Sequence, residues 1–257
     1  MDQNRQAKAR FTELMGSTVE FDNPKPPNLV GEMLRMSTEA GDIVLDFFAG
    51  SGVTGEAVLA LNSHDGGNRK FVLVQLPEPT GREDYPTIAD ICKERVRRVI
   101  KELDEKEAGE LELNDVDEGD RGFRVFKLDE SNFRSWDAEV SHDPEALKKQ
   151  LELHVDHVKP GRRSEDLLAE ILLKSGFPLT IPVVELVLAG KTVHSVADGA
   201  LFVCLEDGLT LELIRAMADR KPERVVCLDR GFAGEDQLKT NAVQIFKTKG
   251  VTNFKTV

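Results

Sequence analysis

Ile43-Val44-Leu45-Asp46-Phe47-Phe48-Ala49-Gly50-Ser51-Gly52-Val53-Thr54-Gly55 is the stretch that decides the fold of this chain. Its first half, Ile43 to Phe48, is a short and almost wholly apolar run, as expected of a parallel strand covered on both faces. Glycines follow at once, and Val53 to Leu61 reads as a helix. Phe71-Val72-Leu73-Val74 is a second strand of the buried kind, so residues 42 to 76 predict one βαβ unit. Glycines at such a strand-to-helix turn let the backbone bend sharply and approach a ligand. The N–H groups that open the helix favour an anion there, phosphate or carboxylate alike.

Upstream of this unit, Asn4 to Met15 places Ala7, Phe11, Leu14 and Met15 at helical spacing and ends at Gly16. Phe21-Asp22-Asn23-Pro24-Lys25-Pro26-Pro27 must be extended, because each proline biases its predecessor away from the helical region. The next helix is expected to carry Leu29, Val30, Met33, Leu34 and Met36 inward. Downstream, Ile88, Ile91, Cys92, Val96, Val99, Ile100 and Leu103 form a helical stripe. Thr87 followed three residues later by Asp90 starts it as a capping box.

The chain has 257 residues, enough for one large domain or two modest ones. Its composition is that of an ordinary soluble globular protein, expected in the cytoplasm. No apolar run approaches the ~18 residues of a membrane span, and the first residues carry no signal-peptide stretch. Cys92, Cys204 and Cys227 are odd in number and far apart, with no zinc spacing, so they read as three reduced, buried thiols and no metal site is expected. The net charge of -12 would argue against a nucleic-acid partner if it were evenly spread. It is not: Lys and Arg against Asp and Glu number 12 to 15 in residues 1–100, 2 to 10 in 101–120, and 20 to 21 in 121–257. The twenty residues 101–120, ten of them acidic, hold few large apolar side chains, and 110–120 reads as a solvated connector between domains 1–109 and 121–257.

Beyond the connector, helices are expected over Pro144 to Leu153 and Ser164 to Lys174, the latter closed by Gly176. Ile181 to Leu188, Thr192 to Val196 and Leu201 to Leu205 read as strands joined by the hairpin turns Ala189-Gly190 and Asp198-Gly199. A helix at Leu211 to Ala218, a strand at Val225 to Leu228, a helix at Gln237 to Phe246 and a strand at Val251 to Phe254 complete an α/β layer.

Gly50, Gly52 and Gly55 match the dinucleotide fingerprint G-x-G-x-x-G, a weak signal alone. Dinucleotide binders place an acid about 20 positions beyond the glycines to take the ribose. Here the following strand ends in Gln75, and the first acid after it is Glu78. Asp46 precedes the glycines, where it could face an ammonium group. A ligand with one carboxylate, one amine and a ribose suits this better than one with a pyrophosphate, so a nicotinamide dehydrogenase carries little weight.

The order FDNPKP, LDFFAGSGVTGEAVLALN and DGGNRKFVLVQLPE resembles the cofactor-binding half of S-adenosylmethionine-dependent DNA adenine-N6 methyltransferases of the β arrangement. More narrowly it resembles the modification subunit of type III restriction-modification systems. That likeness continues through GFRVFKLDESNF, LFVCLEDG and RVVCLDRGF to the C-terminal end. The fold it implies is an incomplete Rossmann-like α/β methyltransferase sheet followed by a smaller α/β C-terminal domain. The implied cofactor is S-adenosylmethionine. Phe48, Gly50 and Gly52 would line its methionine end, Ala49 would be a further cofactor-binding residue, and Ser51 and Thr54 would hold its carboxylate through amide and hydroxyl donors. Asp46 would support the loop near the amino group, and Lys25 with Pro24 and Pro26 would close the other side. Gln75 stands where many relatives place a ribose-binding acid, with Glu78 as the fallback.

The family's catalytic tetrapeptide, Asp/Asn/Ser-Pro-Pro-Tyr/Phe, does not occur: Pro26-Pro27 is followed by Asn28, and the single tyrosine is Tyr85. In the β arrangement that motif and the target-recognition region precede those seen here. The chain is therefore expected to be the C-terminal part of a methyltransferase, to lack methyl transfer alone, and to expose an unpaired sheet edge. The resemblance implies as partners DNA through the complete enzyme, a second modification subunit, the restriction subunit and a homo-oligomer. The alternative is a non-catalytic assembly module in which residues 121 to 257 dock another subunit. Bland readings attach to several residues: Asp22, Asn62 and Asp65 as turn and capping residues, His154 and His157 as a solvated helix end, Trp136 as a core or lid residue, and Asp229 as no nuclease carboxylate.

Overall fold

The computed structural model describes residues 2–109, 121–134, 145 and 158–257. The chain divides into two compact units, Met1–Phe126 and Lys127–Val257. The acidic stretch 110–120, Trp136, the helix expected over Pro144 to Leu153 apart from Glu145, and His154 to His157 lie outside the described residues.

The first unit runs α1 (Asp2–Met15), α2 (Pro27–Ser37), β1 (Ile43–Asp46), α3 (Val53–Asp65), β2 (Lys70–Leu73) and α4 (Ile88–Gly109). Ala7, Phe11 and Met15 give α1 its buried stripe, and Gly16 terminates it in the left-handed region. The proline run is extended at Pro26, and Pro27 opens α2 at its first position, where the missing N–H costs nothing. β1 and β2 are parallel, with Val44 opposite Phe71 and Asp46 opposite Leu73, which is the predicted βαβ unit. Thr87 and Asp90 exchange both capping-box hydrogen bonds at the start of α4.

Coverage of this sheet differs from the expectation. Val44 and Phe71 pack with α2 and α3, and Phe71 and Leu73 pack with α3 and α4. All three helices therefore cover the same face. The opposite face shows Ile43, Leu45 and Val72 to solvent, 57%, 60% and 41% exposed, because strand side chains alternate with a period of two. The strands are thus parallel and apolar but, among the described residues, covered on one side only. The second correction concerns α2: Leu34 is buried and Val30 packs beside it, while Leu29, Met33 and Met36 are exposed. Helical spacing puts 30 and 34 on one side and 29, 33 and 36 on another, and α3 can cover only the first.

The second unit contains α5 (Ser164–Lys174), β3 (Val183–Leu188), β4 (Lys191–Val196), β5 (Leu201–Cys204), α6 (Leu211–Asp219), β6 (Arg224–Cys227), α7 (Asp236–Thr248) and β7 (Asn253–Thr256). Its five strands are ordered β3-β4-β5-β6-β7, the larger sheet of the two. β3, β4 and β5 pair antiparallel, and β5, β6 and β7 pair parallel. Both predicted hairpin turns are present, with Ala189, Gly190, Asp198 and Gly199 all at positive φ. Phe202, Cys204, Val225 and Cys227 face α6 and α7. Leu201, Val203 and Val226 face α5 through Leu167, Ile171 and Leu172. β5 is buried at every position because helices cover both its faces. Cys92, Cys204 and Cys227 are free and buried, as their spacing suggested. Among the described residues no helix is long and apolar enough to cross a membrane.

Candidate functional site

The loop between β1 and α3 is fixed residue by residue. Asp46, the last residue of β1, accepts the Phe48 amide on Oδ1 at 3.0 Å and the Thr54 hydroxyl on Oδ2 at 2.6 Å. One carboxylate thus joins both ends of the loop. The Ala49 amide donates to the Val74 carbonyl at 3.1 Å, which anchors the loop to the end of β2. Gly50, at φ 55°, donates its amide to Gln75 Oε1 at 2.7 Å. Gly52, at φ 82°, caps α3 in the left-handed region, and a Cβ placed there would lie 3.0 Å from Cys92 Sγ and 3.1 Å from the Cys92 carbonyl. Only glycine fits that conformation against that neighbour.

Gly55 serves a different end. A Cβ there would meet Leu73 and Val96 at 3.1 Å, so its role is close packing of α3 on β2 and α4. The three glycines of the motif therefore divide into two that shape the loop and one that seats the helix.

Beneath the loop runs an ionic network that the sequence pattern does not announce. Arg95 of α4 is fully buried. It donates from Nη1 to Ser51 Oγ at 2.7 Å and from Nε to Glu56 Oε2 at 2.7 Å. Glu56, itself 4% exposed, also accepts Arg10 Nε on Oε1 at 2.9 Å. Burial works against the Arg10 charge, but hydrogen bonds to Glu102 and Glu56 outweigh it and raise its pKa above the ordinary value. The signal for Arg95 was its position: it falls between Cys92 and Val99 on the buried stripe of α4, where an uncompensated charge would be costly. Burial also pushes the Cys92 thiol up to about 11, so it is an inert packing partner of Gly52.

The network brings Asp46, Ala49, Gly50, Ser51, Gly52, Thr54 and Gln75 together. The amides of Ser51, Val53 and Thr54, at the opening of α3, have no acceptor among the described residues. Phe48 projects from the loop, 81% exposed, beside Phe47 with ring centroids 5.1 Å apart. The Ser51 and Thr54 hydroxyls are engaged by Arg95 and Asp46, and the Gln75 side chain by Gly50 and the Leu76 carbonyl. From FDNPKP it is Phe21 that approaches the loop, its ring edge 3.7 Å from a Cβ placed on Gly50. Pro24, Lys25, Pro26 and Glu78 make no hydrogen bond to the loop among the described residues. Pro26 instead lines a separate cavity of about 470 Å³ between α1 and the start of α2, with Arg10 and Glu56 in its wall. Asn62 and Asp65 do cap and turn: Asn62 exchanges two hydrogen bonds with the Arg69 backbone, and Asp65 accepts the Gly67 amide.

Residues 3–101, which contain the loop and its supports Arg10, Glu56, Gln75 and Arg95, match the DNA methylase family model. Over 247 residues, 91% of this chain, the sequence is 30% identical to the type III restriction-modification enzyme EcoP15I Mod subunit of Escherichia coli. At family level the chain resembles type III Mod subunits and N6-adenine DNA methyltransferases. It is 27% identical over 248 residues to the EcoPI Mod subunit of Escherichia phage P1. Over 99 residues it is 35% identical to the type II methyltransferase M.KpnI of Klebsiella pneumoniae, a match that covers 36% of this chain and 24% of that protein. The chain spans about a third of the length of the two Mod subunits, 34% and 36% of them.

Proposed function

We propose that the Asp46–Gly55 loop binds S-adenosylmethionine and that the chain supplies the cofactor-binding and C-terminal portion of a site-specific DNA adenine-N6 methyltransferase of a restriction-modification system. The observation that carries this reading is the loop itself: two left-handed glycines, Gly50 and Gly52, pinned so that the Ser51, Val53 and Thr54 amides stand at the start of α3 with no acceptor among the described residues. Such amides at a helix N-terminus suit the carboxylate of an amino-acid moiety.

When bound, the cofactor supplies a methyl group on a sulfonium, ready for transfer to a nucleophilic amine. The chain's own residues bind and orient. Ser51, Val53 and Thr54 offer backbone donors, and the absence of side chains at Gly50 and Gly52 lets a ligand approach the backbone. Phe48 offers an exposed ring as an apolar wall. Asp46 keeps the loop closed through Phe48 and Thr54, and its negative charge lies close to where an ammonium group would sit. Gln75 is committed to Gly50, which leaves the exposed Glu78 as the carboxylate for a ribose.

Methyl transfer also needs the target amine's developing charge stabilised and the adenine brought out of the helix. The tetrapeptide that serves this in the resembled family is absent from residues 1–257. The chain alone is therefore inactive on DNA and acts with DNA, a second modification subunit and the restriction subunit in the complete enzyme. Isothermal calorimetry with S-adenosylmethionine and S-adenosylhomocysteine tests the binding step. Micromolar binding that Gly50→Val abolishes supports the proposal, and no heat with either ligand overturns it.

A further inference from the structure

We infer that Arg95 is a positioning residue for the loop: from the buried end of α4 it fixes the Ser51 hydroxyl, and through Glu56 it joins the loop to the cavity beside Pro26. This rests on the reading of the loop as a ligand site. Three consecutive loop residues are held by two separate supports. Gln75 holds Gly50 at 2.7 Å, while α4 holds Ser51 through Arg95 at 2.7 Å and Gly52 by contact with Cys92. Of these, only the Arg95 contact is charged and fully enclosed.

The charges tie this support to α1 as well. Arg95 and Arg10 both bond Glu56, so two guanidinium groups share one buried carboxylate. Glu102, which also bonds Arg10, is half exposed and its charge is screened by water. Asp46, bonded to Thr54 in the first turn of α3, adds a further carboxylate there, so the preference of that turn for an anion rests on its backbone amides. Arg95 Nη2 lies 2.7 Å from Glu56 Oε2 as an ion pair but outside hydrogen-bond geometry. It is the one buried side-chain polar atom among the described residues without a hydrogen bond. Its position is set by the contacts of Nε and Nη1, and those contacts fix the loop. Glu56 lines the cavity beside Pro26 as well, so any group that disturbs it there reaches Ser51 through Arg95.

The test uses the full chain with Ser51→Ala, Arg95→Lys and the double variant. In the ligand-free protein, Ser51→Ala speeds hydrogen exchange of the Gly50 and Gly52 amides by roughly tenfold, the loss of one charged hydrogen bond, with exchange in the C-terminal unit unchanged. In calorimetry with S-adenosylhomocysteine, each single variant weakens binding by roughly tenfold and the double variant by no more than either alone, because both remove the same contact. Additive losses, or loop exchange equal to wild type in Ser51→Ala, overturn the inference. Should Arg95→Lys fail to fold, exchange in Ser51→Ala decides it alone. If the wild-type chain binds no S-adenosylhomocysteine, the reading of the ligand fails while exchange still reports on Arg95.

Discussion

Gly52 and Cys92 are packed so closely that a single added carbon on the glycine would lie 3.0 Å from the sulfur. The contact joins the N-cap of α3 to the first turns of α4 and makes the loop conformation a property of helix packing as well as of its own sequence. Gly52→Ala therefore meets two penalties: the left-handed backbone costs about 1–3 kcal/mol, and the overlap with Cys92 adds about 1–3 kcal/mol more. The expected result is a clearly lowered melting temperature together with lost ligand binding. Calorimetric melting beside Gly16→Ala, a left-handed glycine with no neighbour within 4 Å, separates the two penalties, since Gly16→Ala carries the backbone cost alone.

Phe48 is the converse case. It is 81% exposed, so Phe48→Ala leaves stability within about 0.5 kcal/mol of wild type. If the ring walls the ligand, the same substitution weakens S-adenosylhomocysteine binding by roughly tenfold, the scale of one lost apolar contact face. Denaturant titration and calorimetry on one sample check both halves.

The second unit carries an acid-sensitive joint. Glu170 of α5 accepts the Asn132 amide at 2.6 Å, the Ser131 hydroxyl, and Lys174 at 2.6 Å. Burial raises its pKa, but these partners outweigh burial and leave it below the usual carboxylate value. The folded value is then lower than the unfolded one. Glu170 stabilises the unit fully above the unfolded value and loses that contribution as pH falls through the folded one. Glu170→Gln should be less stable than wild type at pH 7, with the gap starting to close as pH falls below the ordinary Glu value of about 4.3. Urea midpoints across pH 3–8 show this, and a gap that persists in acid counts against it.

Among the described residues, Ile43, Leu45 and Val72 form an apolar face with no cover, on a sheet whose edges are unpaired. Parallel sheets are stable when both faces are covered, and exposed edges invite pairing with another chain. Self-association that rises with concentration is expected in light scattering. Leu45→Lys, 60% exposed in the parent, should reduce it without lowering the melting temperature. A parent chain monomeric at millimolar concentration would refute the idea.

Local sequence was sufficient wherever one element's pattern settles its state. The parallel pairing of the strand before Gly50, though not its coverage or its extension to Phe48, the capping box at Thr87 and Asp90, and the Ala189-Gly190 turn appear as read, because period, cap chemistry and positive φ are properties of a few neighbouring residues. Asp46 bonds Phe48 and Thr54, two and eight positions away, but its place in the loop was suggested by the family resemblance and not by a local pattern.

What the tertiary structure alone decided is coverage and partnership across distance. The pattern of β1 and β2 could not show that every helix lies on one face, since an apolar strand reads alike whether one side or both are covered. Nor could it show that Arg95 lies under Ser51, 44 positions earlier, or that the Ser51 and Thr54 hydroxyls turn inward while the backbone amides remain unpaired. A charge in a buried stripe is tolerated only when another charge meets it, and which one does so is fixed by the packing of α3 on α4.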